Sequence, residues 1–420
     1  MDSNFEQLIR SKSPEETLFL HFGSQFGRMI ELKDGTLLNI LHTQEKRLSS
    51  DGGVTWTEPE PLLDAEGNRV GAGNPGPFRL KSGGIGMVYD QSERAQFERS
   101  VWFTRSGDEG RAWSRPVRVS EPYNNVVFYQ GAVVASSGRI VVPVYGFIGG
   151  VDPVYHAVEK QHPQRGRALF GDRWAVVGHH DYESMLCFSW AYTSDDEGET
   201  WHRNVGKRAG GGGGEMLVNL DYTAGGHHAC EEPVAVETSP GRLLMLLRTP
   251  LGRFYQAWSQ DDGTTWTMPE PAALASSRAP AALGKVPGTD DLLILWNQAS
   301  AEEIQRGRQR LRLSSAVSKD GGATWRHRRN VFNSREGDVT CVEPPPIQCY
   351  RSAERSPRLP PDDIEATYPT LAFWQDRAII TYGCRERSYM AIDEGTGWVT
   401  RQGVYTTVCT ALPISWFYAR

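Results

Sequence analysis

SSDGGVTW at Ser49–Trp56, SGDEGRAW at Ser106–Trp113, SDDEGETW at Ser194–Trp201, SQDDGTTW at Ser259–Trp266 and SKDGGATW at Ser318–Trp325 are five copies of one octapeptide, Ser-x-Asp-x-Gly-x-Thr-Trp. Only the second departs from it, with Ala112 in the Thr position. Each part has a job in a tight turn. The Asp carboxylate accepts backbone N–H groups, and Gly supplies a positive φ. The Thr hydroxyl ties the loop, and the Trp covers it with an apolar plate. One copy is a weak signal; five in register define a repeat.

Working outward, an apolar run introduced by turn residues recurs six times: DGTLLNIL from Asp34, GGIGMVY from Gly83, SGRIVVPVYG from Ser137, PGRLLMLLR from Pro240, DDLLILW from Asp290 and DRAIITYG from Asp376. Each reads as the second strand of a hairpin. The first five are each followed by one octapeptide. Six such units in constant order predict an all-β fold, a six-bladed β-propeller spanning residues 1–420 as one domain.

Composition agrees. Gly 44, Pro 25 and 10% aromatics in 420 residues favour turns and stacking surfaces over a helical bundle. With 45 Lys+Arg against 51 Asp+Glu the net charge is −6, which argues against nucleic acid as a partner. No apolar run is long enough for a membrane helix, and MDSNFEQLIRSKSPEE lacks a secretory signal's pattern. The cysteines at 187, 230, 341, 349, 384 and 409 contain no CxxC pair, so neither zinc nor a disulfide framework is expected. Reduced thiols predict a cytoplasmic location.

Two insertions, 147–185 (with His156, His162, His179 and His180) and 338–363 (Pro-rich), are expected to shape one mouth of the central channel. Gly210–Gly214 reads as a loop tip, because no strand–GxxxxGK–helix context surrounds it.

With these repeats the chain resembles the sialidase (neuraminidase) superfamily, from about Leu20 to Tyr405. The octapeptides are that family's Asp-boxes, which imply architecture rather than chemistry. Site residues are carried over one by one. In CEEPVAVETSPGRLLMLLRT, Glu232 matches the family glutamate, Glu231 is its close rival, and Arg248 matches the arginine. Arg310, eight residues before the Asp-box Ser318, matches a second arginine, and Tyr368 in ATYPTL matches the family tyrosine. The resemblance implies Tyr368 as nucleophile, Glu232 as its base and the arginines as carboxylate ligands. The chemistry is coherent. A sialic acid carries a carboxylate on its anomeric carbon, which guanidinium forks bind and which repels an anionic nucleophile. A phenol, neutral until a glutamate takes its proton, avoids that repulsion.

Elsewhere the chain departs from the pattern. The first family arginine falls on Gln25, with Arg28 three residues later on the opposite face by strand alternation. Arg79 is a further substrate-binding candidate. The general-acid Asp has no counterpart, leaving His42, Glu45 or Asp90, and Gly383 stands near the supporting glutamate's place. A glycoside hydrolase acting on a sialic acid or another acidic glycoside or oligosaccharide is the first expectation. A uronate lyase is the second, kept by His227 and His228, and a catalytically silent sugar-binding propeller the third. No cofactor or metal is expected. The loss of an arginine at Gln25 predicts slow turnover of common aryl sialosides.

Overall fold

The computed structural model describes residues 3–23, 27–71, 73–92, 99–120, 127, 131–149, 166–170, 173–177, 185–206, 214–216, 230–335, 337, 339–350, 363–386, 389–392, 399–402 and 404–419. Gln25, the histidines at 156, 162, 179, 180, 227 and 228, and Gly210–Gly213 lie outside them.

Six four-stranded antiparallel sheets form a six-bladed propeller. The inner strands are Met29–Glu31, Gly76–Arg79, Val133–Val134, Glu231–Ser239, Ala281–Lys285 and Ile364–Trp374. Each touches the next, and the sixth touches the first, so the ring closes. All six apolar runs read from the sequence are second strands: Leu37–Leu41, Ile85–Ser92, Ile140–Gly149, Arg242–Arg248, Leu292–Trp296 and Arg377–Glu386. They are apolar because both faces are covered by neighbouring blades, as the wholly buried Leu243–Leu247 run shows.

Blade six closes the circle with both ends of the chain. Its order is Ile364–Trp374, Arg377–Glu386, Tyr405–Pro413 and then the N-terminal strand Leu18–Gly23. This explains why six blades carry five Asp-boxes. A box occupies the turn from third to fourth strand, and in blade six those strands are not consecutive in the chain.

The first box shows the turn chemistry. Asp51 accepts from Thr55 N (2.9 Å), Thr55 Oγ1 (2.6 Å) and Ser49 Oγ (2.8 Å), while Trp56 Nε1 donates to Gly53 O (3.0 Å). Gly53 has φ 96°, and an added Cβ would meet Leu20 of blade six at 2.9 Å. At the same position in the third box, Gly198 would meet Phe103 of blade two at 2.0 Å. The glycine therefore serves the turn and the close approach of neighbouring blades together.

Because strands alternate in direction, all five boxes lie at one end of the propeller. The starts of inner strands, the ends of second strands and the starts of third strands lie at the other. Both long insertions leave from that second end. Of the first, the described residues include a hairpin, Gly166–Phe170 with Arg173–Val177.

Candidate active site

Blade four builds the centre of the second end. Glu231 pairs in register with Arg248 at the end of the second strand, and a bulge follows before Val234. Glu232 sits in that bulge at φ 40°. Tyr368 occupies the matching feature of blade six, a bulge between Thr367 and Thr370, at φ 55°. Left-handed backbone in a bulky residue costs on the order of 1–3 kcal/mol and persists where surrounding structure enforces it. Bulges re-aim side chains, here two acid–base candidates on two inner strands.

The charges beside them are buried. Glu231, Glu232 and Arg248 are at most 5% exposed. Arg248 Nη1 donates to Glu232 Oε2, and its Nε lies 3.3 Å from Glu231 Oε2 without hydrogen-bond geometry. Burial pulls the Arg248 pKa down, but the two glutamates outweigh it and hold it well above the ordinary range. The Tyr368 phenol also bears electrostatically on that guanidinium.

Arg278, just before the inner strand of blade five, holds Glu231 through Nη2, with Nε at 3.4 Å. Its carbonyl in turn accepts Arg310 Nη2 at 3.2 Å. Arg310 Nη1 donates to Thr367 Oγ1, and its guanidinium carbon is 5.1 Å from the centroid of the Tyr368 ring. The backbone fixes this approach. Ala366 N donates to Arg310 O at 2.8 Å, and the fully buried Asn297 bridges Arg312 O and Ala366 O at 2.9 Å each. Tyr145, midway along blade three's second strand (Ile140–Gly149), feels both Glu232 and Tyr368. Burial first, then the Glu232 charge, push its phenol pKa well above normal.

Arg248, Arg310, Glu232 and Tyr368 thus gather at one end of the channel. Glu231 is a bridge between two arginines. Arg28 stands at the start of blade one's inner strand on the same end, its Nη1 buried without a hydrogen-bond partner and its pKa lowered to about 10 by burial. Arg79 does not join them. It ends its strand at the Asp-box end, bound to Glu109 (2.7 Å) and to the carbonyl of Glu31 (2.7 Å), so we remove it from the substrate-binding set. The reason is its place in the strand: the inner strand of blade two begins at the mouth and finishes at the boxes.

The three acid candidates differ. His42 is half-buried, and burial lowers its pKa, which favours the neutral ring. Glu45 starts a third strand and accepts from Thr43 Oγ1 at 2.6 Å. Asp90 is 2% exposed near the end of blade two's second strand, 2.8 Å from Asn74 Nδ2 and 3.4 Å from Arg99 Nη1. Burial raises its pKa against the pull of Arg99 and Asn74. Sequence reasoning missed Arg278 and Tyr145. The first stands in a Ser/Ala/Pro loop with no motif, and the second reads as one more apolar position in a core strand.

A closed ring of six blades with Asp-boxes, and an Arg/Glu/Tyr cluster around the buried Glu231, Glu232 and Arg248 at the opposite end, define the class of protein. The chain belongs to the family of BNR repeat-like domains, whose profile matches residues 45–381. Among solved structures it is similar to a Dyadobacter fermentans protein of unknown function (15% identity, TM-score 0.54, 95% of this chain and 98% of that one). It is also similar to the NanB sialidase of Streptococcus pneumoniae (11%, 0.56, 99% and 73%). A third is a Trypanosoma rangeli sialidase mutant displaying trans-sialidase activity (13%, 0.52, 95% and 58%). At these identities the likeness is one of fold. No curated protein sequence matches the chain.

Proposed function

We propose that the protein is a glycoside hydrolase that releases a terminal sialic acid or related acidic sugar. The observation that carries this reading is the pairing of Glu232 and Tyr368. They lie in two bulges on inner strands of blades four and six, and Arg248, which binds Glu232, also feels the Tyr368 phenol electrostatically. Tyr368 Oη attacks the anomeric carbon as Glu232 takes its proton, and water later releases the sugar from the tyrosine. Arg248 and Arg310, with Arg28 from blade one, bind the substrate carboxylate. Four arginines (Arg28, Arg248, Arg278, Arg310) against Glu231 and Glu232 leave positive charge in excess, which suits an anionic substrate. Asp90 is the proton donor to the leaving group, supported by its raised pKa.

The test is a screen against aryl sialosides, aryl uronides and neutral aryl glycosides, with the parent protein compared with Tyr368→Phe and Glu232→Gln. Each substitution is expected to lower kcat/KM by about 10²–10⁴. Full activity in both would remove the nucleophile pair. Absorbance from an unsaturated uronate would instead establish a lyase, a reading supported by a second phenol, Tyr145, that feels the charges of Glu232 and Tyr368.

A further inference from the structure

A cavity of about 320 Å³ opens on blade five, outside the Glu232–Tyr368 cluster. Its wall is the connection from second to third strand: the single-turn helix Ala301–Gln305, the arginines at 306 and 308 that follow, and Arg312 at the start of the third strand. The loop after the outer strand completes it with Arg335 and Cys341. Four arginines line it against two carboxylates, Glu302 and Glu303.

The pairing is uneven. Arg306 meets Glu302 at 2.8 Å, but both are largely exposed, and such pairs are worth little. Arg308 stands 3.8 Å from Asp363. Glu303 alone serves both remaining arginines. Arg312 forks onto it at 3.0 and 3.4 Å, Arg335 Nε lies 3.5 Å from the same carboxylate, and Ser300 N donates to it at 2.8 Å. Arg312 is 4% exposed and its Nε is buried with no hydrogen-bond partner. Among the described residues, Glu303 is the one ion-pair partner of Arg335. Counting Asp363 with the two wall glutamates, four guanidinium groups face three carboxylates. A concave wall of guanidinium forks with surplus charge is suited to a planar or tetrahedral oxyanion.

Position links the cavity to the mouth. Arg310, which covers Tyr368, is two residues before Arg312, and two residues of extended chain span at most about 7 Å. We propose that this cavity is a subsite for a second anionic group of the substrate, a sulfate or phosphate ester or a further carboxylate on the sugar next to the one cleaved. The binding part stands on the cavity alone; the subsite part rests on the hydrolase reading above.

The experiment separates the two. Cys341 is exposed and lines the cavity, so its alkylation by a neutral reagent, iodoacetamide, reports occupancy, with Cys349 outside the wall as internal control. Saturating inorganic sulfate or phosphate is expected to slow alkylation of Cys341 several-fold relative to Cys349, and Arg335→Gln to abolish that protection. Arg312→Gln is the stronger change, but its burial makes Arg335→Gln the variant that keeps the fold. Loss of one charged hydrogen-bonding group is expected to lower the kcat/KM ratio of sulfated to unsulfated substrate about tenfold or more in Arg335→Gln. If neither anion protects Cys341, the cavity is no oxyanion site, whether or not the protein cleaves any glycoside. Protection by free anions without any preference for a sulfated or phosphorylated glycoside overturns the subsite and leaves a site for free anions.

Discussion

The two ends of the propeller use the same side chains for opposite ends. At the Asp-box end, carboxylates are exposed and bind their own loops: Asp261 accepts from Thr265 N, Thr265 Oγ1 and Ser259 Oγ at 2.7–2.8 Å. The ion pair of Arg139 with Asp195 there has its carboxylate in water. At the mouth, Glu231 and Glu232 are buried and bind arginines instead of backbone. The left-handed residues differ too. At the boxes they fill turns, where Gly52 and Gly321 relieve two copies, whereas Glu232 and Tyr368 hold that conformation inside strands. One end stabilises the fold locally. The other keeps charge and strain out of water, where they can act on a ligand.

The largest expected effect breaks the mouth. Arg248→Leu leaves two buried glutamates without their shared cation and should cost about 3–5 kcal/mol, read as the shift in urea unfolding. Arg139→Leu at the other end should cost at most about 1 kcal/mol. Equal costs would mean that the mouth is as wet as the rim. The proposed proton donor, Asp90, sharpens the contrast in activity. A carboxyl raised by burial stays protonated to higher pH than an ordinary aspartate, so activity should fall as pH climbs through that raised pKa. Asp90→Asn should remove this limb and slow substrates with poor leaving groups most. An unchanged profile would return the acid role to His42 or Glu45.

Acid stability probes the box end. Hydrogen bonds from Thr55 lead in holding Asp51 at about 2, while at Asp196 burial is the largest single effect and raises the pKa, but hydrogen bonds from Thr200 and Ser194 together outweigh it, also giving about 2. Carboxylates depressed in the folded state stabilise it above their unfolded pKa, and that contribution is lost as pH falls through the folded value. Stability from the boxes should therefore decline between about pH 4 and 2, measured as the thermal midpoint. A variant with Asp51→Asn and Asp196→Asn should show a shallower decline.

How much of this was legible follows from the same contrast. Box turns and second strands are local and periodic, so octapeptides and apolar runs announce them. The mouth is assembled from four blades, and its features are not local. A bulge that turns Glu232 left-handed leaves no mark in CEEPVAVE, and Arg278 meets Glu231 across 47 positions. Arg79 has the right type on an inner strand but stands at the wrong end of it. The missing sixth box was a readable sign that the N-terminal strand completes blade six, since a box needs a continuous third-to-fourth turn.

The smallest expected effect lies in the second box. Elsewhere the Thr hydroxyl binds the second Asp oxygen at 2.5–2.7 Å; here Ala112 keeps only the backbone contact, N to Asp108 Oδ1 at 3.0 Å. Ala112→Thr would restore one charge-assisted but exposed bond, worth on the order of 0.5–1 kcal/mol in a general ledger of hydrogen bonds. The gain should fall at the lower end. Trp113 does not seat on its own loop as Trp56, Trp201 and Trp266 do, through Nε1 to the box glycine. It is 2% exposed, its Nε1 has no partner, and its backbone N donates to Leu63 O at 3.2 Å. The second loop is thus anchored by burial of its tryptophan against the 62–70 segment, and a restored hydroxyl has less left to order. Asp108→Ala should accordingly cost less than Asp261→Ala when the two are compared by thermal unfolding. A cost for Asp108→Ala equal to or above that of Asp261→Ala would show that the carboxylate, not the tryptophan, holds every box.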